Sequence, residues 1–218
     1  MRLNKVKVVG CGPGYKKLMT FEAVEAIKSS DLIFGAERLL DNFSNFKGEK
    51  VKIKGNYSSI LKRIKNEYRI KKIAVLVSGD VCFFSFSRLV LNEVGRDNCE
   101  FYPGISSVQY AFSKLRLEWN DVLFLSFHGR DKNKKENCNI ERIIRDNPKI
   151  AILTDGDNGV KNLFNVLKKD LFNDKKIFIM ENLSYPDRER IKSVSYEKAL
   201  NGNFSPLNVV VILNKELI

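Results

Sequence analysis

Three short loops in the first half of the chain carry residue types suited to holding a small polar ligand: Gly10-Cys11-Gly12-Pro13-Gly14, Ser78-Gly79-Asp80 and Tyr102-Pro103-Gly104-Ile105-Ser106-Ser107. The third joins a strand-like run ending at Tyr102 to a helix-like run over 108–116. A Pro-Gly turn followed by two hydroxyls leaves the unpaired amides of a helix start beside two short polar side chains. Ser106 could equally serve as that helix's N-cap, worth about 1 kcal/mol. Asp80 stands at the tip of the apolar run Ile73-Ala74-Val75-Leu76-Val77, where a carboxylate could accept ribose hydroxyls or face a cationic centre. It could also be an N-cap or turn aspartate for the helix that follows. In the second half, Thr154-Asp155-Gly156 and His128-Gly129-Arg130 occupy comparable places. His128 is the only histidine, and strand alternation could bring it and Arg130 to one side of a loop mouth, where they would bind an anionic group.

Several chemistries fit these residues poorly. The first loop invites a dinucleotide reading, but GxGxxG would need glycine where Tyr15 stands, and Pro13 removes an amide from the phosphate cradle. The second strand-like run ends at Gly35 without the usual ribose-binding acid; Glu37 is the nearest. A tight Gly/Pro turn that lets a flat ligand approach the backbone is the better reading. Cys11, Cys82, Cys99 and Cys138 show neither CxxC spacing nor a nearby histidine, so neither a metal site nor a redox pair is indicated. Neither a Ser/His/Asp set nor paired carboxylates stand out. That points to a reactive cofactor carrying the chemistry, with the protein supplying orientation.

The elements that position these loops alternate. Strand-like runs at 6–9, 32–34, 51–53, 73–77 and 99–102 are separated by helix-like runs at 21–27, 37–43, 58–68 and 86–94, the first of them preceded by the N-cap candidate Thr20. This is the pattern of a mostly parallel sheet covered by helices on both faces. Trp119 and Asn120 mark a short connection, after which strands at 122–127, 150–153 and 176–180 alternate with helices at 140–145 and 160–171. Strand-like 191–194 and 209–213 then follow with short connections, as in a sheet with antiparallel pairs. The expected architecture is α/β, with domains at 1–116 and 117–218. Ligands of open α/β sheets gather beyond the carboxyl ends of the strands, where all five loops lie, so a cleft between the two domains is the expected site.

Composition agrees with a globular protein: 44% hydrophobic and 29% charged residues, with no run near the ~20 apolar residues of a membrane span. The start leads directly into a strand, so a cytoplasmic protein is expected and a membrane is not. A net charge of +12 invites an anionic partner, whether nucleic acid, a membrane surface or a polycarboxylate small molecule. The runs Lys132-Asn133-Lys134-Lys135 and Lys168-Lys169 read more simply as solvated faces, the first within a loop.

Taken in order, Val9-Gly10-Cys11-Gly12-Pro13-Gly14, Ser78-Gly79-Asp80, Pro103-Gly104-Ile105-Ser106-Ser107 and Ser205-Pro206-Leu207-Asn208-Val209-Val210 resemble the landmarks of the tetrapyrrole methylase family over essentially the whole chain. The resemblance implies methyl transfer from S-adenosyl-L-methionine, with S-adenosyl-L-homocysteine as product. It implies a cofactor pocket lined by Pro13, Ser78, Gly79, Asp80, Phe83, Ser106, Ser107 and Thr154. Gly12, Gly14 and Tyr15, with His128 and Arg130, would face the tetrapyrrole. Val81 stands where many relatives have proline after the Gly-Asp pair. Phe127-His128-Gly129-Arg130, Leu153-Thr154-Asp155-Gly156-Asp157-Asn158 and Glu181-Asn182-Leu183-Ser184-Tyr185-Pro186 resemble the branch that methylates carbon 5 of a cobalt-precorrin in cobalamin biosynthesis. That branch implies an anionic tetrapyrrole substrate, a homodimer and a separate C15-methyltransferase/decarboxylase. Methylation of another tetrapyrrole, of ribosomal RNA ribose or of a modified histidine stays open within the fold. A non-catalytic nucleic-acid-binding protein is the reading from a different class, and no aromatic-basic RNA motif speaks for it.

Overall fold

The computed structural model describes residues 4–127, 140–154, 156 and 159–218. They form two compact units, Met1–Ser107 and Val108–Ile218, so the division falls at the first turn of a helix that the sequence assigns to the first domain up to residue 116.

The first unit is a five-stranded sheet of β1 (Val6–Gly10), β2 (Leu32–Gly35), β3 (Glu49–Lys52), β4 (Ile73–Val77) and β5 (Cys99–Tyr102). The spatial order is β3-β2-β4-β1-β5 and every pairing is parallel. The continuous apolar runs follow from burial on both faces. One set of alternate residues, Val6, Val8, Leu32, Phe34, Ile73 and Val75, packs with Ile64 and Tyr68 of the α3 (Tyr57–Glu67) region and with Val90 and Val94 of α4 (Ser87–Val94). The other set, Val9, Ile33, Ala74 and Leu76, packs with Ala23, Ala26 and Ile27 of α1 (Phe21–Lys28) and Leu39 and Leu40 of α2 (Glu37–Leu40). Thr20 caps α1 as its position predicts, accepting from the Ala23 amide at 3.1 Å. Because β1 and β4 are neighbours whose onward connections leave in opposite directions, to β2 and to β5, their carboxyl ends form the switch point of the sheet.

The second unit begins with α5 (Ser107–Leu115) and holds β6 (Leu123–Ser126), α6 (Ile140–Asp146), β7 (Lys149–Leu153), α7 (Gly159–Asn165), β8 (Lys175–Glu181), β9 (Arg190–Val194), α8 (Tyr196–Asn201) and β10 (Asn208–Asn214). Its sheet runs β6-β7-β10-β8-β9, with β6 and β7 parallel and the remaining pairs antiparallel, as the last third of the sequence suggests. The core joins Ile150, Ile152, Ile177, Ile179, Val210 and Ile212 to the apolar faces of α6, α7 and α8.

Two elements differ from expectation. The helix read over 160–171 ends at Asn165, because the Tyr196 hydroxyl donates to the Phe164 and Leu167 carbonyls at 3.3 and 2.8 Å and takes the place of further helical turns; a 3-10 turn at Lys169–Phe172 follows. The short helix α8 occupies what the sequence reads as connection, started by Ser195, whose side chain accepts from the Lys198 amide.

Candidate functional site

The loops after β1, β4 and β5 meet backbone to backbone. Cys11 donates its amide to the Val77 carbonyl at 2.9 Å, and Gly12 and Gly79 exchange amide-to-carbonyl bonds at 3.2 and 2.8 Å, closing an isolated bridge across the switch point. Gly104 completes the junction. A Cβ on Gly104 would stand 2.4 Å from the Gly79 carbonyl oxygen and 2.8 Å from the Gly10 carbonyl, and a Cβ on Gly10 would stand 2.7 Å from the Gly104 nitrogen. No side chain fits at either place, so the glycines are demanded by close approach. Gly12 and Gly79 are demanded by conformation as well, with φ of +71° and +67°.

Asp80 laces the same loops. Its Oδ1 accepts from the Cys82 amide at 2.8 Å, an Asx turn, and its Oδ2 accepts from the Gly104 amide at 3.0 Å, across to the loop after β5. Since α4 starts only at Ser87, Asp80 is a turn and bridging aspartate and not that helix's N-cap. Ser106 is buried directly before α5, and Ser107 is the first residue of that helix. A Cβ on Gly79 would lie 3.6 Å from the Ser106 Cα, so the second and third loops pack side by side. Ser78 is exposed, Pro13 and Gly14 are buried, and Phe83 is half-buried with its ring edge-on to Phe84 at 4.8 Å. Tyr15, half-buried, has the Lys17 ammonium over its ring at 5.7 Å, and the Gly14 carbonyl accepts from Asn42 Nδ2 at 3.2 Å. Burial pushes the Cys11 thiol up to about 12 against the pull of the Arg38 charge, so Cys11 is a neutral packing residue.

In the second unit Thr154 is buried directly after β7, and its Oγ1 donates to Asn208 Oδ1 at 2.9 Å. Asn208 Nδ2 donates to the Ser205 carbonyl at 2.7 Å, and the Ser205 amide donates to the buried Glu181 at 2.7 Å. Sequence reasoning places Asn208, Ser205 and Glu181 inside family landmarks without giving them a role; partners 24 and 54 residues apart leave no local signal. His128 and Arg130, expected at the tetrapyrrole, lie outside the described residues, as do Asp155, Asp157, Asn158 and the basic run at 132–135.

Residues 5–199 match the family model for tetrapyrrole (corrin/porphyrin) methylases. The chain belongs to the tetrapyrrole methylase family. Among methylases of this family, a probable cobalt-precorrin-7 C(5)-methyltransferase from Methanocaldococcus jannaschii is 34% identical over 94% of this chain and 96% of its own length. The cobalt-precorrin-7 C(5)-methyltransferase of Salmonella typhimurium is 32% identical over 95% of this chain and 98% of its own. The solved structure of a uroporphyrin-III C-methyltransferase from Thermus thermophilus, complexed with S-adenosylhomocysteine, superposes with a TM-score of 0.76 at 18% identity, covering 96% of this chain and 92% of that one. This last likeness is one of fold.

Proposed function

We propose that this methylase transfers a methyl group from S-adenosylmethionine to carbon 5 of cobalt-precorrin-6B, giving cobalt-precorrin-7 and S-adenosylhomocysteine. The observation that carries the reading is the likeness, over nearly the full length of both chains, to relatives named for that carbon.

The residues present fit the cofactor. S-adenosylmethionine offers a carboxylate, an ammonium, ribose hydroxyls and an adenine edge, so its site needs close backbone approach and mixed donors and acceptors in place of a phosphate cradle. Gly10, Gly79 and Gly104 bring the three loops of the first unit together, the hydroxyls of Ser78, Ser106 and Ser107 with the loop backbone supply the mixture, and Phe83 adds an aromatic face. When bound, the sulfonium supplies a methyl group already activated toward a nucleophilic ring carbon. No side-chain nucleophile is needed, in keeping with the lack of a catalytic set in the sequence. The protein's work is then alignment at ~3–3.5 Å and exclusion of water. Pro13, Ser78, Gly79, Asp80, Phe83, Ser106, Ser107 and Thr154 serve the cofactor, and Gly12, Gly14 and Tyr15, with His128 and Arg130, serve the tetrapyrrole. The surplus of lysine and arginine, +12 overall, gives the substrate's carboxylates an attractive field. A homodimer working in the cytoplasm beside a separate C15-methyltransferase/decarboxylase completes the proposal.

Isothermal titration with S-adenosylhomocysteine tests the cofactor assignment. Saturable binding is expected; no binding by a chain that circular dichroism shows to be folded would contradict it.

A further inference from the structure

The loop 182–189 joins β8 to β9 at the end of the second sheet where β7 leads to Thr154. Leu153 pairs with Val209 and Val209 with Met180, so the carboxyl ends of β7 and β8 flank the start of β10. Hydrogen bonds run from that row into the loop. Thr154 meets Asn208 at 2.9 Å, Asn208 donates to the Ser205 carbonyl, Ser205 Oγ donates to Asn182 Oδ1 at 3.0 Å, and Asn182 Nδ2 donates to the Arg188 carbonyl at 3.4 Å. The loop is held from several sides. Asn182 and Ser184 take left-handed φ of +46° and +72°, which residues other than glycine keep only where their surroundings impose it. The Asn182 amide donates to the Leu207 carbonyl at 2.8 Å, and the amide of buried Ser184 donates to Glu189 Oε2 at 2.7 Å. Glu189 Oε1 pairs with the Lys114 ammonium of α5 at 3.1 Å, and the Tyr185 carbonyl accepts from the Arg188 and Glu189 amides at 3.1 and 2.9 Å. On this base Arg188 is exposed, its guanidinium over the Tyr185 ring at 4.7 Å. Glu189, its neighbour in sequence, is committed to Lys114 and Ser184, and among the described residues no carboxylate pairs with Arg188. A guanidinium held over an aromatic ring loses little freedom when its planar fork of N–H donors takes a carboxylate.

We infer that Arg188 is a specificity-determining residue that takes one peripheral carboxylate of the tetrapyrrole in a two-pronged ion pair, with Tyr185 positioning its guanidinium. The inference rests on the reading of the substrate as an anionic tetrapyrrole. A net charge spread over the surface attracts such a substrate without orienting it. A guanidinium on a braced loop gives one carboxylate a fixed place, and with it the rotation of the macrocycle. The plain alternative for an exposed arginine is a solvated charge, whose loss costs no more than that of any other surface charge.

Titration with cobalt-precorrin-6B, followed by its absorption spectrum, separates the two. The proteins are the wild type, Arg188→Gln, Arg188→Lys, Tyr185→Leu and, as a matched loss of charge on exposed α6, Arg142→Gln; methyl transfer and S-adenosylhomocysteine binding are measured on the same samples. Arg188→Gln is expected to weaken the tetrapyrrole about tenfold, with KM raised in step, and to leave S-adenosylhomocysteine within about twofold. Arg188→Lys keeps the charge without the fork and should fall between. Tyr185→Leu should cost about threefold, and Arg142→Gln should stay within about twofold of wild type. Should Tyr185→Leu fail to fold, the Arg188 pair decides alone. Equal affinities of Arg188→Gln and Arg142→Gln overturn the inference. So does a loss in Arg188→Gln that extends equally to S-adenosylhomocysteine, the mark of a disturbed loop. A wild type that binds the tetrapyrrole without methylating carbon 5 overturns the assigned reaction instead, and the ratio of dissociation constants still decides Arg188. A folded wild type that does not bind the tetrapyrrole overturns both.

Discussion

Asp80 commits both carboxylate oxygens to backbone amides, one within its own turn and one in the loop after β5. Its first role is therefore to brace the loops after β4 and β5. Asp80→Asn keeps the size but sets an N–H donor against an amide donor, leaving one of the two amides unpaired. The expected cost is about 1–3 kcal/mol. It would appear as a lower urea midpoint at unchanged slope, and a midpoint equal to wild type would remove the brace. Cys11, in the first of these loops, contributes differently. With its thiol held up to about 12 by burial, it packs as a small apolar residue in the cluster that holds Val9, Ala23 and Ile27.

At the scale of elements, the site depends on β1, β4 and β5 ending at one level, so that three loops can share the contact of Gly10, Gly79 and Gly104. Gly104→Ala puts a methyl 2.4 Å from the Gly79 carbonyl and must part those loops. The expected result is a loss of about 1–3 kcal/mol in stability together with weakened S-adenosylhomocysteine binding; a Gly104→Ala variant that melts and binds as wild type would contradict the junction. Much of this frame is legible in the sequence, because the fully apolar run 73–77 and its helical neighbours can only be satisfied by a sheet covered on both faces. The loops are legible too, since Gly, Pro, Ser and Asp cluster at strand ends. What the sequence does not carry is long-range pairing. That Gly104 lies against Gly10, that the Tyr196 hydroxyl donates to the Leu167 carbonyl beyond α7 and that Thr154 donates to Asn208 are consequences of packing between residues far apart in the chain. The early end of α7 shows tertiary contact overriding an apolar helical pattern that continues to Leu171.

For the whole molecule, the family assignment and the fold agree across nearly the full chain. Among the described residues no helix is long and apolar enough to cross a membrane. The charge of +12 would attract the carboxylates of the proposed substrate from a distance. The proposed function turns on one carbon of the tetrapyrrole. Incubation of the protein with cobalt-precorrin-6B and methyl-13C S-adenosylmethionine, followed by mass spectrometry and carbon NMR of the tetrapyrrole, tests it most directly. The expected product is heavier by one labelled methyl group, with the label on carbon 5. An unchanged mass with folded, cofactor-binding protein, or a label on a different ring carbon, would contradict it.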